Sequence, residues 1–327
     1  MSTSRASYRL YGLALESAFD LPCPHAGPVQ PDVRLILGSA ARFARARSEV
    51  PPDNGREWFR YRRLGDGTTY LRWTGLFEFL VSADGRRIQY RRLEHATDES
   101  LSVYLLGTVL SFSMLAFGIE PLHGTVVLVD EGAIGFLGDC GDGKSTLGAA
   151  MLARGFRIVT DDLVALRETE NGWQVQPGVP RIKLFPSVAR RLLGRGRCGT
   201  RMNPGTTKLV LPLDKAHTVG TAVPLKALYV LSNAGDERRS RTARVRITPL
   251  FRQHAFVELI RASFNVLVLE KDRLANQFQF ASRLLAAVPV RRLVYRRSLS
   301  ELPTVCNAVL SDLGRESDAT GCNAISA

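Results

Sequence analysis

The chain has 327 residues, 45% hydrophobic and 23% charged, which is ordinary for a globular protein and long enough for one large or two modest domains with a real core. Its formal net charge is +13 with a pI near 10.0, and arginine supplies nearly all of the basic excess. That excess fits an acidic peptide, a nucleotide or a nucleic acid as partner, and equally a coding bias toward arginine; no RNP, zinc-finger or helix-turn-helix pattern is present, so nucleic acid is not expected.

The opening residues, MSTSRASYRL, contain no apolar stretch of signal-peptide type. The five cysteines, Cys23, Cys140, Cys198, Cys306 and Cys322, are odd in number and scattered without a C-x-x-C pair, so a reducing, cytoplasmic setting is expected. Up to about residue 95 the pattern predicts strands over 8–15, 33–37, 58–64, 69–73, 77–81 and 86–93, the last two around an Asp84-Gly85 turn. The Pro-rich stretch 22–31 reads as loop and 40–48 as a short basic helix. Such a β-rich N-terminal domain, residues 1–97, either docks a peptide or a neighbouring subunit or is purely structural.

From residue 98 the chain reads as α/β. Residues 101–119 carry no charge and approach the length of a membrane span, but Ser102, Gly107, Thr108, Ser111, Ser113 and Gly118 interrupt the run and it leads directly into a strand, so a buried helix is expected and no membrane association. Leu122-His123-Gly124 opens a strand that a turn at Asp130-Glu131-Gly132 joins to a second apolar strand, 133–137.

Next comes Gly138-Asp139-Cys140-Gly141-Asp142-Gly143-Lys144-Ser145-Thr146, which fits G-x-x-x-x-G-K-[ST] and is followed by a helix that ends before Gly155. A strand, a glycine-rich turn and a helix N-terminus together aim backbone N–H groups at one anion. In such a loop Lys144 reaches the β and γ phosphates and the Ser145 hydroxyl ligates magnesium. Residues 157–162 read as a strand ending in Asp161-Asp162. If it returned parallel beside the loop strand, the two carboxylates would meet the γ phosphate from opposite sides, one on metal and one on the incoming nucleophile.

Asn171-Gly172 signals a hairpin between strands at 163–167 and 173–176. Arg181 and Lys183 follow as candidate contacts to phosphate or to a substrate carboxylate, or as a solvated basic face. Residues 194–207 are glycine-rich and basic without periodicity, a mobile connector or a lid, and Lys208 at their end is a candidate second phosphate ligand. Strands are expected at 225–232, 245–248 and 290–295, a charged hairpin at 235–244, and helices at 249–261, 270–288 and 301–313. Residues 316–327 read as a disordered tail. His25, His95, His217 and His254 show no metal-ligand spacing.

His123-Gly124, a hairpin, GDCGDGKST, a helix ending Arg154-Gly155 and a strand ending Thr160-Asp161-Asp162 together resemble the catalytic domain of the HPr kinase/phosphorylase family over roughly residues 122–186. Tyr8-x-x-Tyr11-Gly12-Leu13, the run from Pro180 to Pro186 and Val288-Pro289-Val290-Arg291-Arg292-Leu293 resemble the family's lasso-peptide branch, peptide kinases that modify the precursor's C-terminal serine. Cys140 stands where HPr kinases usually carry serine, and no stretch like their E-x-R-G-x-G-I-x-x signature follows the acidic pair.

The resemblance implies an α/β P-loop kinase domain of HPr kinase/phosphoenolpyruvate-carboxykinase type over 98–315 and an ATP- and Mg2+-dependent serine kinase acting on a short precursor peptide. The motif itself gives phosphate binding by Gly138, Asp139, Cys140, Gly141, Asp142, Gly143, Lys144, Ser145 and Thr146, with Lys208 as the candidate second ligand. The resemblance places Asp161 as the acceptor of the serine proton, Ser145 and Asp162 on the metal, Lys144 on the transferred phosphate and His123 tuning the phosphate pocket. HPr kinases form rings, so a homo-oligomer is left open. The alternatives are an HPr-type protein serine kinase, a carboxykinase of the same fold, for which no second-metal ligand set is visible, and a non-catalytic ATP-binding regulatory protein.

Overall fold

A computed structural model describes residues 6–51, 57–194, 196–233 and 245–314. The charged hairpin expected over 235–244 and the tail expected over 316–327 lie outside the described residues.

The N-terminal sheet is built from β1 (Ala6–Leu10), β2 (Leu13–Ser17), β3 (Val33–Leu37), β4 (Phe59–Arg63), β5 (Thr69–Trp73), β6 (Phe77–Val81) and β7 (Arg87–Arg92), with α1 (Ala40–Ser48) after β3. The run expected as one strand over 8–15 is a hairpin, because Tyr11 at φ 56° and Gly12 at φ 78° turn the chain through the left-handed region. The order is β1-β2-β3-β7-β6-β5-β4, with β3 parallel to both β2 and β7 and the other pairs antiparallel. The Ser39 side chain accepts from Arg42 N to cap α1, which buries Phe43 and Ala46 in a cluster with Tyr70 and Leu80.

A long apolar helix follows, α2 (Asp98–Tyr104) running through one π turn (Leu105–Val109) into α3 (Leu110–Ala116). Thr97 and Ser100 form a capping box at its start. By length and composition it could cross a membrane, but 72% of its apolar window is buried inside the protein. Leu101, Leu105, Leu106, Val109 and Met114 lie in one core with Tyr8, Leu35, Phe77 and Phe79. The first sheet therefore completes its core with the helix beyond residue 97, and the expected boundary at 97/98 runs through packed side chains.

The second sheet contains β8 (Leu122–Val129), β9 (Gly132–Leu137), β10 (Arg157–Val164), β11 (Leu166–Thr169), β12 (Gly172–Val175), β16 (Val223–Asn233), β17 (Val245–Pro249) and β18 (Val290–Tyr295). A smaller sheet pairs β13 (Arg181–Leu184), β15 (Leu209–Pro212) and β14 (Thr200–Arg201). α4 (Lys144–Leu152), α5 (Pro186–Leu193) and α8 (Leu302–Asp312) pack on one face of the large sheet, and α6 (Arg252–Arg261) and α7 (Lys271–Ala287) on the other. The result is a mixed α/β fold in which the central strands are covered on both faces, which is why β9 and residues 126–129 of β8 read as continuous apolar runs.

Two expectations are corrected. β10 does not run parallel beside the loop strand; it is antiparallel to β8, with Asp161 opposite Thr125. The reason is occupancy: β9 has the β8 hairpin partner on one side and parallel β16 on the other, so only the free edge of β8 remains. Residues 196–207 are also less free than expected. Thr200 and Arg201 pair with β15, and buried Asn203 donates to the Tyr104 hydroxyl at 2.6 Å, tying this segment to the long helix.

Candidate active site at the phosphate-binding loop

The loop leaves β9 at Gly138 and enters α4 at Lys144. Gly138, Gly141 and Gly143 have φ of 146°, 92° and 93°, backbone that side-chain-bearing residues rarely adopt. At Gly138 space is short as well, since a Cβ there would come within 2.7 Å of Asp142 Oδ2. That same carboxylate oxygen accepts from Asp139 N at 2.6 Å, and Arg297 binds the other oxygen, so Asp142 braces the loop from within. The Lys144 side chain is buried and its Nζ donates to Gly138 O at 2.8 Å and Asp139 O at 2.9 Å, folded into the cradle where an anion would sit. Burial pulls its ammonium below the ordinary lysine value.

The paired acids, expected with Asp161 on the serine proton and Asp162 on the metal, have different surroundings. Asp161 is buried; its Oδ1 accepts from Ser145 Oγ at 2.8 Å and Thr125 Oγ1 at 2.7 Å, and its Oδ2 from Lys183 N at 2.9 Å. It is therefore the acid beside the hydroxyl that a P-loop offers to magnesium. Asp162 sits in a left-handed conformation, φ 87°, which interrupts the side-chain alternation of the strand. Its carboxylate meets Lys183 Nζ at 2.5 Å and His123 Nε2 at 3.5 Å. Burial pushes that carboxyl up, but the Lys183 ammonium and the His123 contact outweigh it and hold the group well below the usual carboxylate range.

Asp162, His123, Thr125, Lys183, Lys208 and the loop residues Cys140, Gly141 and Gly143 to Thr146 line one cavity of about 150 Å³. Lys208, expected as a second phosphate ligand, thus lines the same cavity as the loop, and Cys140 is an exposed free thiol at the loop's turn. Gly138, Asp139 and Asp142 border a different cavity, where Arg261 holds Asp139 at 2.9 Å. The loop residues expected to act together are therefore split between its two flanks.

Neither local pattern nor motif pointed to several neighbours. Thr125 shares a face of β8 with His123 two residues away, a period-two signal that could have been read. Phe264 packs edge-on against His123 with ring centroids 5.6 Å apart, and Gly107 of the π turn faces Asp162, where an added Cβ would lie 3.3 Å from Oδ2. Both come from segments more than 50 residues away in their own directions or from an irregular helix turn, and no spacing rule exposes them. Lys183, expected as a phosphate or substrate contact, is first of all the counter-ion of Asp162.

Among the described residues no group of three or more His, Cys, Asp or Glu side chains is placed to hold a metal. Ser145 Oγ and Asp161 Oδ1, 2.8 Å apart, do fit Mg2+, which takes few protein oxygens and completes its octahedron with phosphates and water.

No protein-family model matches the chain. No curated protein matches it either. Among solved structures the chain is similar to the HPr(Ser) kinase/phosphatase from Coxiella burnetii at 13% sequence identity and a TM-score of 0.33, over 60% of this chain and 97% of that one; a likeness of that size carries no argument for function.

Proposed function

We propose that the chain is an ATP- and Mg2+-dependent kinase that transfers the γ phosphate to a serine hydroxyl of a polypeptide, with a short precursor peptide bearing serine at or near its C-terminus as the acceptor class. The observation that carries the reading is the pairing of a P-loop with two adjacent carboxylates in different environments, one on Ser145 and one facing the cavity. Nucleotide binding needs the loop alone; a second carboxylate aimed at the space beyond it is what an in-line transfer to a hydroxyl requires.

In this reading Lys144 leaves its two carbonyl partners to bind the β and γ phosphates. Magnesium, when bound, neutralises charge on those phosphates and is held on the protein side by Ser145 and Asp161. Asp162 accepts the serine proton as the new oxygen–phosphorus bond forms and the bond to the β-phosphate oxygen breaks. A carboxylate held at low pKa is a weak base, but in a loose transition state orienting the hydroxyl matters more than removing its proton early. Lys183 and His123 hold Asp162, and Lys208 adds positive charge from the far wall. The same basic wall suits an acceptor with a neighbouring carboxylate, such as a peptide C-terminus.

The test is incubation of purified protein with ATP, Mg2+ and a panel of peptides carrying serine at the C-terminus, internally or not at all. One added phosphoryl group on the terminal or penultimate serine, located by fragmentation mass spectrometry, is the expected result. Phosphate on HPr protein or on small molecules while every peptide stays unmodified would overturn the acceptor assignment.

A further inference from the structure

The phosphate-binding loop borders a second cavity on the side away from the paired acids. Gly141, Gly143 and Thr146 line both cavities, so the two spaces meet across the turn that opens α4. The first is lined by Asp162 with Lys144, Lys183 and Lys208. The second, about 180 Å³, is walled by Val188 of α5, Tyr295 at the end of β18, Leu299 and Leu302, with Arg297 at its rim.

We infer that this second cavity receives the purine base of the nucleotide. The inference rests on the phosphoryl-transfer reading of the loop. A nucleoside triphosphate is elongated, with its reacting phosphate and its base at opposite ends. Once the triphosphate lies over the helix N-terminus with its γ end toward Asp161 and Asp162, the base must leave along the other flank. The walls there match a flat heteroaromatic ring: apolar side chains with a few polar groups at the edge.

Arg297 is suited to stack on such a ring. Its guanidinium is fixed by the Asp142 carboxylate, so its plane is set before a ligand arrives. The Tyr295 ring closes the inner wall beneath Gly143, where an added Cβ would come within 3.1 Å of the phenol oxygen. Burial lifts that phenol to about 12, so it stays protonated and able to donate. The third cavity at the loop, which Arg297 also borders, offers a poorer fit, since beside Val230 and Leu231 its walls carry Asp139 and Glu258 in ion pairs with Arg261.

The experiment compares ATP with inorganic tripolyphosphate, both with Mg2+, by calorimetric titration of the full chain. Stacking of one base predicts that the wild-type protein binds ATP on the order of 10- to 100-fold more tightly than tripolyphosphate. Val188→Trp and Leu299→Trp, which fill the cavity, should remove most of that advantage while tripolyphosphate affinity stays within about two-fold, the latter also reporting an intact fold and loop. Equal affinity of the wild-type protein for the two ligands, or an undiminished ATP advantage in both variants, would overturn the base site. Failure of the loop reading looks different: the wild-type protein would bind neither ligand, or Lys144→Ala would bind tripolyphosphate as well as wild type does, and the base site would fall with it.

Discussion

Two carboxylates, a buried one in the first sheet and a partly exposed one in the second, are satisfied in opposite ways. Glu78 on β6 is 1% exposed, accepts from Arg47 at 2.8 Å, from Arg91 at 3.3 Å and from the Tyr70 hydroxyl at 2.6 Å, and sits in an evenly paired strand. Asp162 on β10 has one lysine and one histidine, lies at φ 87°, and still lines a cavity. A carboxylate enclosed by partners on regular backbone can only stabilise. One that keeps an open side, on strained backbone, holds reactivity that the fold must offset elsewhere. The first sheet uses its charges for architecture, and the second leaves one available.

The comparison breaks most sharply at the loop. Lys144→Ala should leave a folded protein whose phosphoryl transfer falls by several orders of magnitude, because the lysine whose ammonium lies on Gly138 O and Asp139 O is lost from the cradle. Near-normal turnover in the folded variant would remove the loop from the mechanism altogether.

Next in size are the acids. Asp162→Asn keeps the shape but loses the proton acceptor, so turnover should fall on the order of 100-fold or more while ATP affinity changes little. Asp161→Asn should show instead a raised Mg2+ requirement, read from rate against metal concentration. Interchanged phenotypes would return the two residues to the roles that family resemblance assigns them.

Lys183→Met tests how much Asp162 depends on its partner. Leaving that carboxylate with His123 alone should cost about 3 kcal/mol in denaturant unfolding at neutral pH. The sign with pH is fixed: a carboxyl depressed in the folded state stabilises above its unfolded value near 4 and loses that contribution as pH falls toward its folded value. Wild type should therefore lose stability through this acidic window more steeply than Asp162→Asn, and parallel acid profiles would show the pair to be energetically idle.

The smallest effect on chemistry belongs to the first sheet. Glu78→Gln should lower stability by about 2 kcal/mol, since Arg47, Arg91 and Tyr70 lose a charged acceptor, and leave turnover per folded molecule unchanged. A fall in turnover with unaltered stability would join the two sheets functionally and erase the distinction drawn between them.

What the sequence determined by itself is local. Glycines at 138, 141 and 143 with Lys144 and Ser145, framed by an apolar strand and a helical run, specify a glycine-rich turn into a helix because the needed backbone angles are set within nine residues. Apolar runs likewise marked β5, β6 and β18 at their true limits, and the serine and glycine content of 101–119 pointed to a buried helix, which its 72% burial bears out. Only the tertiary structure decided which edge β10 joins. Adjacent positions such as Asp161 and Asp162 look interchangeable until strand register and one left-handed residue assign the first to Ser145 and the second to Lys183. Those contacts, and the meeting of His123 with Phe264, join residues distant in the chain. They depend on which strand edges and apolar faces remain free once nearer partners have paired, and no local pattern encodes that.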